Sequence, residues 1–165
     1  RYQEVTGVQT CALPISSSLI LLNINIFRKY YKVIMKKIVE CVPNISEGND
    51  QSVINKIVET VEKYPGIKLL NVDPGKATNR TVITFVGDAD IIVDAAFKLI
   101  SKAKELIDMR KHFGEHPRMG AVDVCPLIPI SGISMEETVD LAHKLSERVG
   151  NELYLMLKIL RLEKM

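Results

Sequence analysis

The order of β-rich runs and helical patterns is the feature that most constrains the fold of this chain. Four short runs are rich in β-branched residues: 37–42, 67–73, 80–86 and 122–130. Helical patterns follow three of them and begin at residues suited to helix capping: Asp50, Asp88 or Asp90, and Ser134 with Glu137 as a capping box. The order is β-α-β-β-α-β with an extra helix. It predicts an α+β fold of the split βαβ, ferredoxin-like kind, an antiparallel sheet with helices on one face.

Two details refine this prediction. The runs 67–73 and 80–86 are joined by the turn-rich PGKATN, so we expect them to pair antiparallel. The run 122–130 contains Pro126 and Pro129, and proline cannot donate a ladder hydrogen bond. We therefore expect an edge strand, or a pair of short strands, at this position.

The first 34 residues differ from the rest. Residues 5–16 look like the translation of a sequencing-library adapter, and the apolar stretch from Leu19 to Phe27 falls short of the ~20 residues of a membrane span. We expect 1–34 to be a non-native or disordered extension, with Met35 as the natural start and 35–152 as one folded domain.

Charge and cysteine content exclude several classes of protein. A net charge of +2, from 22 basic and 20 acidic residues, gives no field that would indicate a nucleic-acid or membrane partner. The three cysteines are far apart in sequence and include no C-x-x-C pair, so neither a disulfide framework nor a structural zinc site is indicated. Cys41 and Cys125 lie beside strands and are interpreted as small core residues. A reducing cytoplasm fits this composition best.

The segment 109–125, MRKHFGEHPRMGAVDVC, carries two of the three histidines, His112 and His116, among charged side chains. Its glycines and Pro117 prevent a continuous helix, so it is a loop, and such loops often hold binding or catalytic residues. The same composition also fits a solvated basic turn. The two histidines are four apart, but without a helix or a third suitably spaced ligand we predict no metal site.

Three polar clusters stand at the ends of strands: PNISEG (43–48), DPGKATNRT (73–81) and GEHPRMG (114–120). Together with MKKIVECVPNISEGND, LLNVDPGKATNRTVITFVG and ELIDMRKHFGEHPRMGAVDVCPLIPI, they make the chain similar to the N-terminal subdomain of the glutamate formimidoyltransferase family. The resemblance runs from Met35 to about Glu152. Residues 153–165 do not match the family pattern, and we expect a divergent or frameshifted tail there.

The resemblance implies a ferredoxin-like fold and a folate-dependent transfer in histidine breakdown. N-formimidoyl-L-glutamate and tetrahydrofolate, the co-substrate, would give 5-formimidoyltetrahydrofolate and L-glutamate. The catalytic histidine of the family falls on His116, which suits a general base and acid near neutral pH. Asp73 is the candidate to hold its imidazole in one tautomer.

Five further residues are candidates for substrate binding. Arg80 and Arg118 would hold carboxylates by paired hydrogen bonds. Asn44, Ser46 and Asn79 would orient amide or amidine hydrogens. Simpler roles remain open: an ion pair between Arg80 and Asp73, and a surface or supporting position for His112.

The family places folate between two ferredoxin-like subdomains, and the full-length enzyme is expected to be a homodimer. We expect the second, C-terminal subdomain to be missing from this chain. Two alternatives to a complete enzyme therefore stay open. The chain is either a non-catalytic half-domain, which at most binds a partner or part of the substrate, or a single-subdomain enzyme that completes its site by dimerising.

Overall fold

A computed structural model describes residues 36–115 and 119–154 of the chain. Its elements, in chain order, are β1 (Ile38–Cys41), β2 (Asn44–Ile45), α1 (Gln51–Glu62), β3 (Ile67–Gly75), β4 (Arg80–Asp88), α2 (Ala89–Leu106), a 3-10 turn (Met109–Lys111), β5 (Val122–Val124), β6 (Leu127–Ser131) and α3 (Met135–Leu153). This is the predicted order of elements, with the first and last strands each divided in two.

All strand pairs are antiparallel. Strand β4 pairs with β3 on one side and with β1 and β2 on the other, while β6 pairs with β1 and β5 with β2. The sheet order is therefore β3, β4, β1/β2, β6/β5, which is the order of a ferredoxin-like fold. The α+β, ferredoxin-like prediction is confirmed. The interpretation of 122–130 as a pair of short strands at the sheet edge is also confirmed.

The core lies between the sheet and its helices. Along β4 the residues alternate between buried and half-buried, and Ile83 and Phe85 are fully buried toward the helices. The helices return apolar residues to the same side, including Ile54 and Ile57 from α1 and Ile92 from α2. The opposite face of the sheet has no helix on it among the described residues, and Ile128 and Ile130 of β6 are exposed there. The sheet is therefore covered on one side.

The helices begin where the capping residues predicted. The side chain of Asp50 accepts hydrogen bonds from the backbone of Ser52 and Val53, and Asp88 accepts from Asp90. At α3 both hydrogen bonds of the capping box between Ser134 and Glu137 are present. None of the helices in the described part of the chain is long and apolar enough to cross a membrane.

The capping box predicts a measurable change in stability. Ser134→Ala removes the oxygen that accepts from the Glu137 backbone N–H, and we expect a loss of about 1 kcal/mol in the free energy of unfolding. Ser101→Ala, in the middle of α2, is the matched control, and alanine should be neutral or slightly favourable there. Urea unfolding of both variants tests this. An equal loss in both would contradict the role given to the cap.

Candidate functional site

The three polar clusters meet at one end of the sheet. We call them the 43–50 loop, which includes β2, the 76–79 turn between β3 and β4, and the 109–121 loop after α2. Hydrogen bonds join the turn to both loops and join the two loops to each other. Segments far apart in sequence thus form one continuous polar surface.

Asn79 connects all three segments. Its Oδ1 accepts from the Gly48 backbone N–H at 2.9 Å, and its Nδ2 donates to the Phe113 carbonyl at 2.9 Å. Its own carbonyl oxygen lies 3.1 Å from Nε2 of His112. The residue has a φ of 51°, a left-handed conformation that asparagine tolerates better than most residues. Both ends of its amide are used within the protein.

Two glycines allow the segments to approach closely. A Cβ at Gly48 would lie 2.5 Å from the Gly75 carbonyl oxygen and 2.6 Å from the Arg80 nitrogen. A Cβ at Gly114 would lie 2.5 Å from the Thr78 carbonyl oxygen. All three contacts are with backbone atoms, which cannot move aside as a flexible side chain would. Any side chain at either position would therefore push the loops off the turn.

Ser46 and Asp123 hold the other end of the 109–121 loop. The fully buried Ser46 donates its hydroxyl to the Gly120 carbonyl at 2.7 Å, and its backbone N–H donates to Ala121 at 2.9 Å. The carboxylate of Asp123 accepts from the Met119 backbone N–H at 3.0 Å. The loop is thus fixed by hydrogen bonds on both sides of residues 116–118.

His112 is buried, with 8% of its surface exposed. Of the two positions that we expected for it, the surface position is therefore wrong. The hydrogen bond between its Nε2 and the Asn79 carbonyl fits the second expectation, a supporting position. Just before it, hydrogen bonds from Arg110 lower the pKa of Asp108 to about 2. Asp108 therefore stays ionised over the physiological range and caps the 3-10 turn that leads into the loop.

Arg80 forms a nearly buried ion pair with Asp123, with 11% and 5% of the two side chains exposed. Its Nε also donates to Oδ1 of Asn44 at 3.3 Å. We considered an ion pair between Arg80 and Asp73 as an alternative. Arg80 does form an ion pair, but its partner is Asp123 and not Asp73. A buried pair of this kind links β4 to β5 across β2 and orders the strands around Asn44.

Asp73 and Asn44 lie on either side of Val82 in the sheet, since both pair directly with it. Directly paired residues of antiparallel strands point to the same face, and here that is the face without helices. Asp73 is exposed and Asn44 is half-buried. Two polar side chains therefore border an apolar residue on open surface.

The structure thus brings five of the predicted site residues to one end of the sheet: Asn44, Ser46, Asp73, Asn79 and Arg80. His116 and Arg118 lie outside the described residues. Asp123 was not among our candidates, although it stands in the charged segment that we singled out. Within 36–115 and 119–154, no three His, Cys, Asp or Glu side chains are grouped to hold a metal ion.

Substitutions of Asn79 separate its backbone from its side-chain role. Asn79→Gly removes the hydrogen bonds to Gly48 and Phe113 but keeps the positive φ, whereas Asn79→Ala adds strain of about 1 kcal/mol. We expect both variants to unfold at a lower urea concentration than the parent chain, and Asn79→Ala to unfold at a lower concentration than Asn79→Gly. Alanine matching the parent chain would contradict the assignment of Asn79 as the connecting residue.

The Arg80–Asp123 pair makes a second prediction. Asp123→Asn removes the carboxylate charge that Arg80 contacts in a nearly buried position, and we expect a loss of about 3 kcal/mol in the free energy of unfolding. The matched control is Glu105→Gln, which breaks a surface pair with Lys102 and should cost less than about 1 kcal/mol. Similar losses in the two variants would show that the buried pair adds nothing beyond a surface pair.

Comparison with known proteins identifies the family to which the chain belongs. A sequence model described as "Formiminotransferase domain, N-terminal subdomain" matches residues 38–159, past Glu152, where we expected the resemblance to end. The chain is 54% identical over 119 residues to the formimidoyltransferase-cyclodeaminase of Rattus norvegicus, covering 72% of this chain and 22% of that protein.

Shorter relatives are matched over a larger share of their length. Identity is 50% over 119 residues to the glutamate formimidoyltransferase of Streptococcus pyogenes serotype M1, covering 72% of this chain and 40% of that protein. It is 49% over 116 residues to that of Thermoplasma acidophilum, covering 70% and 38%. The chain thus spans well under half the length of each of these relatives. On this evidence the chain belongs to the formiminotransferase family and corresponds to the N-terminal subdomain of its domain.

Proposed function

We propose that this chain forms one part of the active site of a glutamate formimidoyltransferase. The reaction is the transfer of the formimidoyl group from N-formimidoyl-L-glutamate to tetrahydrofolate, a step of histidine breakdown that releases L-glutamate. The observation that carries the proposal is the joining of the three polar segments through Asn79, in a chain whose relatives are named for this transfer.

In this proposal His116 moves the protons. Attack by the folate nitrogen on the amidine carbon requires the nitrogen to lose a proton, and the departing glutamate nitrogen requires one. An imidazole can accept the first proton and return it to the second nitrogen, because its pKa lies near neutrality. The hydrogen bonds of Phe113, Met119 and Gly120 on either side of His116 support this role, since a proton-transfer group must be held close to one geometry.

Asp73 is proposed to accept a hydrogen bond from the ring of His116 and so fix its tautomer. Two observations support this choice. Asp73 is an exposed carboxylate on β3, next to the 76–79 turn that is bonded to the 109–121 loop. The other strand-borne carboxylate near the site, Asp123, is already engaged by Arg80 and Met119.

The substrate-binding residues are proposed to act in two ways. Asn44 and Arg118 contact substrate, with Arg118 directed to a carboxylate of glutamate or of the folate tail. Arg80, which we expected to bind a carboxylate of the substrate, is paired with Asp123 and donates to Asn44, so its proposed role is to hold Asn44 in place. Ser46 and Asn79 act by holding the loops, because their polar side-chain atoms make hydrogen bonds inside the protein. Asn44 and Asp73 border the apolar Val82 on the open face, a mixture that suits a pterin ring.

The rest of the site is proposed to come from a second subdomain, within a homodimeric enzyme. The chain matches 22% of the cyclodeaminase fusion from Rattus norvegicus and 40% of the Streptococcus pyogenes enzyme, so most of each relative lies beyond the matched region. The uncovered face of the sheet, on which Asn44 and Asp73 lie, is compatible with a site that another part of the protein completes. The alternative is a non-catalytic half-domain.

A chimera tests the proposal. Residues 38–154 of this chain would replace the matching segment of the Streptococcus pyogenes enzyme, and 5-formimidoyltetrahydrofolate would be measured by liquid chromatography and mass spectrometry. We expect the chimera to be active and His116→Ala in it to lower kcat by about 10²- to 10⁴-fold, because proton transfer loses its catalyst. The control is His143→Ala, an exposed histidine on α3, which should leave kcat unchanged.

Two results would count against the proposal. An inactive but folded chimera would favour the non-catalytic half-domain, and a His116→Ala chimera with nearly full kcat would remove His116 from the mechanism. The purified chain alone, residues 35–165, should form no measurable product. Product that depends on His116 in this short chain would instead favour a single subdomain that completes its site by dimerising.

A further inference from the structure

Two cysteines that the proposed reaction does not use lie in contact. The Sγ atoms of Cys41 and Cys125 are 3.5 Å apart, although 84 residues separate the two in sequence. Cys41 ends β1, and Cys125 stands in the break between β5 and β6. Neither is part of a disulfide. Two thiols at this distance can be joined by a small movement of the chain, since a disulfide requires about 2.05 Å between its sulfurs.

The pair sits at an interruption of its strand ladder. Cys41 pairs with Leu127 and Asn44 with Val124, so the residues between them, 42–43 and 125–126, are where both strands are interrupted. One backbone hydrogen bond crosses this gap, from Val42 to the Pro126 carbonyl at 3.1 Å. Pro43 and Pro126 have no N–H to donate across the break, although the Pro43 carbonyl accepts from the Ile83 N–H of β4 at 2.9 Å. The edge strand is therefore less firmly tied to its neighbour here than along the paired segments on either side.

The register makes Cys125 a diagonal neighbour of Cys41 rather than its direct partner. Diagonal neighbours have Cα atoms about 7–8 Å apart, somewhat wider than the usual 4.4–6.8 Å of a disulfide. Closing the bond therefore draws β1 and the edge strands together and stores strain. Strained disulfides are easily reduced again, which distinguishes labile pairs from structural ones.

The two thiols differ in access. Cys41 is fully buried, and burial and the neighbouring Cys125 raise the pKa of its thiol, so it is rarely ionised. Cys125 packs against the core but is only half-buried and stands at the sheet edge, so it is the more accessible of the two. Since the thiolate is the nucleophile in disulfide exchange, Cys125 is the sulfur that meets an oxidant first.

We propose that Cys41 and Cys125 form a reversible thiol–disulfide pair, a modification site for small disulfides of the oxidised glutathione class. The Cys125 thiolate attacks one sulfur of the small disulfide, forming a mixed disulfide and releasing one small thiol. Cys41 then loses its proton and attacks the Cys125 sulfur, forming the internal disulfide and releasing the second small thiol. Two protein thiols are oxidised and one small disulfide is reduced.

A disulfide between Cys41 and Cys125 would change the geometry of the candidate site. Asn44 follows Cys41 by three residues on the same interrupted strand, and Asp123, which holds Arg80 and Met119, precedes Cys125 by two. A bond that draws these strands together would change the spacing of both polar residues. The pair is a modification site whether or not the chain takes part in formimidoyl transfer.

The experiment uses the full chain with Cys11→Ser, since Cys11 would otherwise add a third thiol. The reduced, folded protein is incubated with oxidised glutathione, alkylated after denaturation and digested for mass spectrometry without reduction. Cys41→Ala and Cys125→Ala are the two matched variants. A Glu62→Cys variant, exposed at the end of α1, reports that the oxidant is active.

We expect one cross-linked peptide pair joining positions 41 and 125 within a single chain, lighter by two hydrogens and restored by dithiothreitol. Cys41→Ala should stop at the mixed disulfide, with one glutathione on Cys125, and Cys125→Ala should leave Cys41 unmodified. Should either variant fail to fold, the cross-link in the parent protein still decides. Free thiols at 41 and 125 after the Glu62→Cys reporter has reacted would overturn the proposal, and so would disulfides formed only between chains.

Discussion

Within the described residues the helices cover one face of the sheet only, and this is the constraint on which the rest of the structure depends. Every second residue of β4 packs toward the helices, so Ile83 and Phe85 carry the core while Val82, Thr84 and Val86 face the other way. Because the side chains alternate, the same strands that build the core also present a second row of residues. Asn44 and Asp73 belong to that second row, and their position follows from the register of the core.

The polar end of the sheet is held together chiefly by hydrogen bonds to backbone atoms. Asn79 bonds to Gly48 and Phe113, and Ser46 bonds to Gly120, in each case through a main-chain group of the partner. Such bonds fix the path of a loop without fixing its exposed side chains, which stay available for other contacts. The same end holds Arg80 and Asp123 as a nearly buried pair, which costs desolvation and so requires good geometry around it.

Much of this fold was predictable because its signals are local. The capping residues Asp50, Asp88 and Ser134 marked the helix starts, and the prolines marked the divided edge strand. The partner of Arg80 was not predictable in this way. Asp73 and Arg80 stand on the two sides of one hairpin turn, so their closeness in sequence indicated an ion pair between them. Asp123 is far from Arg80 in sequence and comes close to it only because β5 pairs with β2. Long-range register decides such contacts, and spacing in sequence carries no information about it.

The two strand breaks explain why site and core can coexist in such short strands. The break at Pro43 and the break at Pro126 lie side by side, between the pairs Cys41–Leu127 and Asn44–Val124. On one side of them β1 and β6 join the helix-covered core, where Val39 and Cys41 are fully buried. On the other side β2 and β5 continue the same two strands into the polar loops, although Ile45 of β2 is also fully buried in the core. Because a proline supplies no N–H to the ladder, the two strands are less firmly paired at this break than in the segments on either side of it. The two thiols meet at the same break. The contact between the cysteines and the position of Asn44 therefore both follow from the interruption of the strands at Pro43 and Pro126.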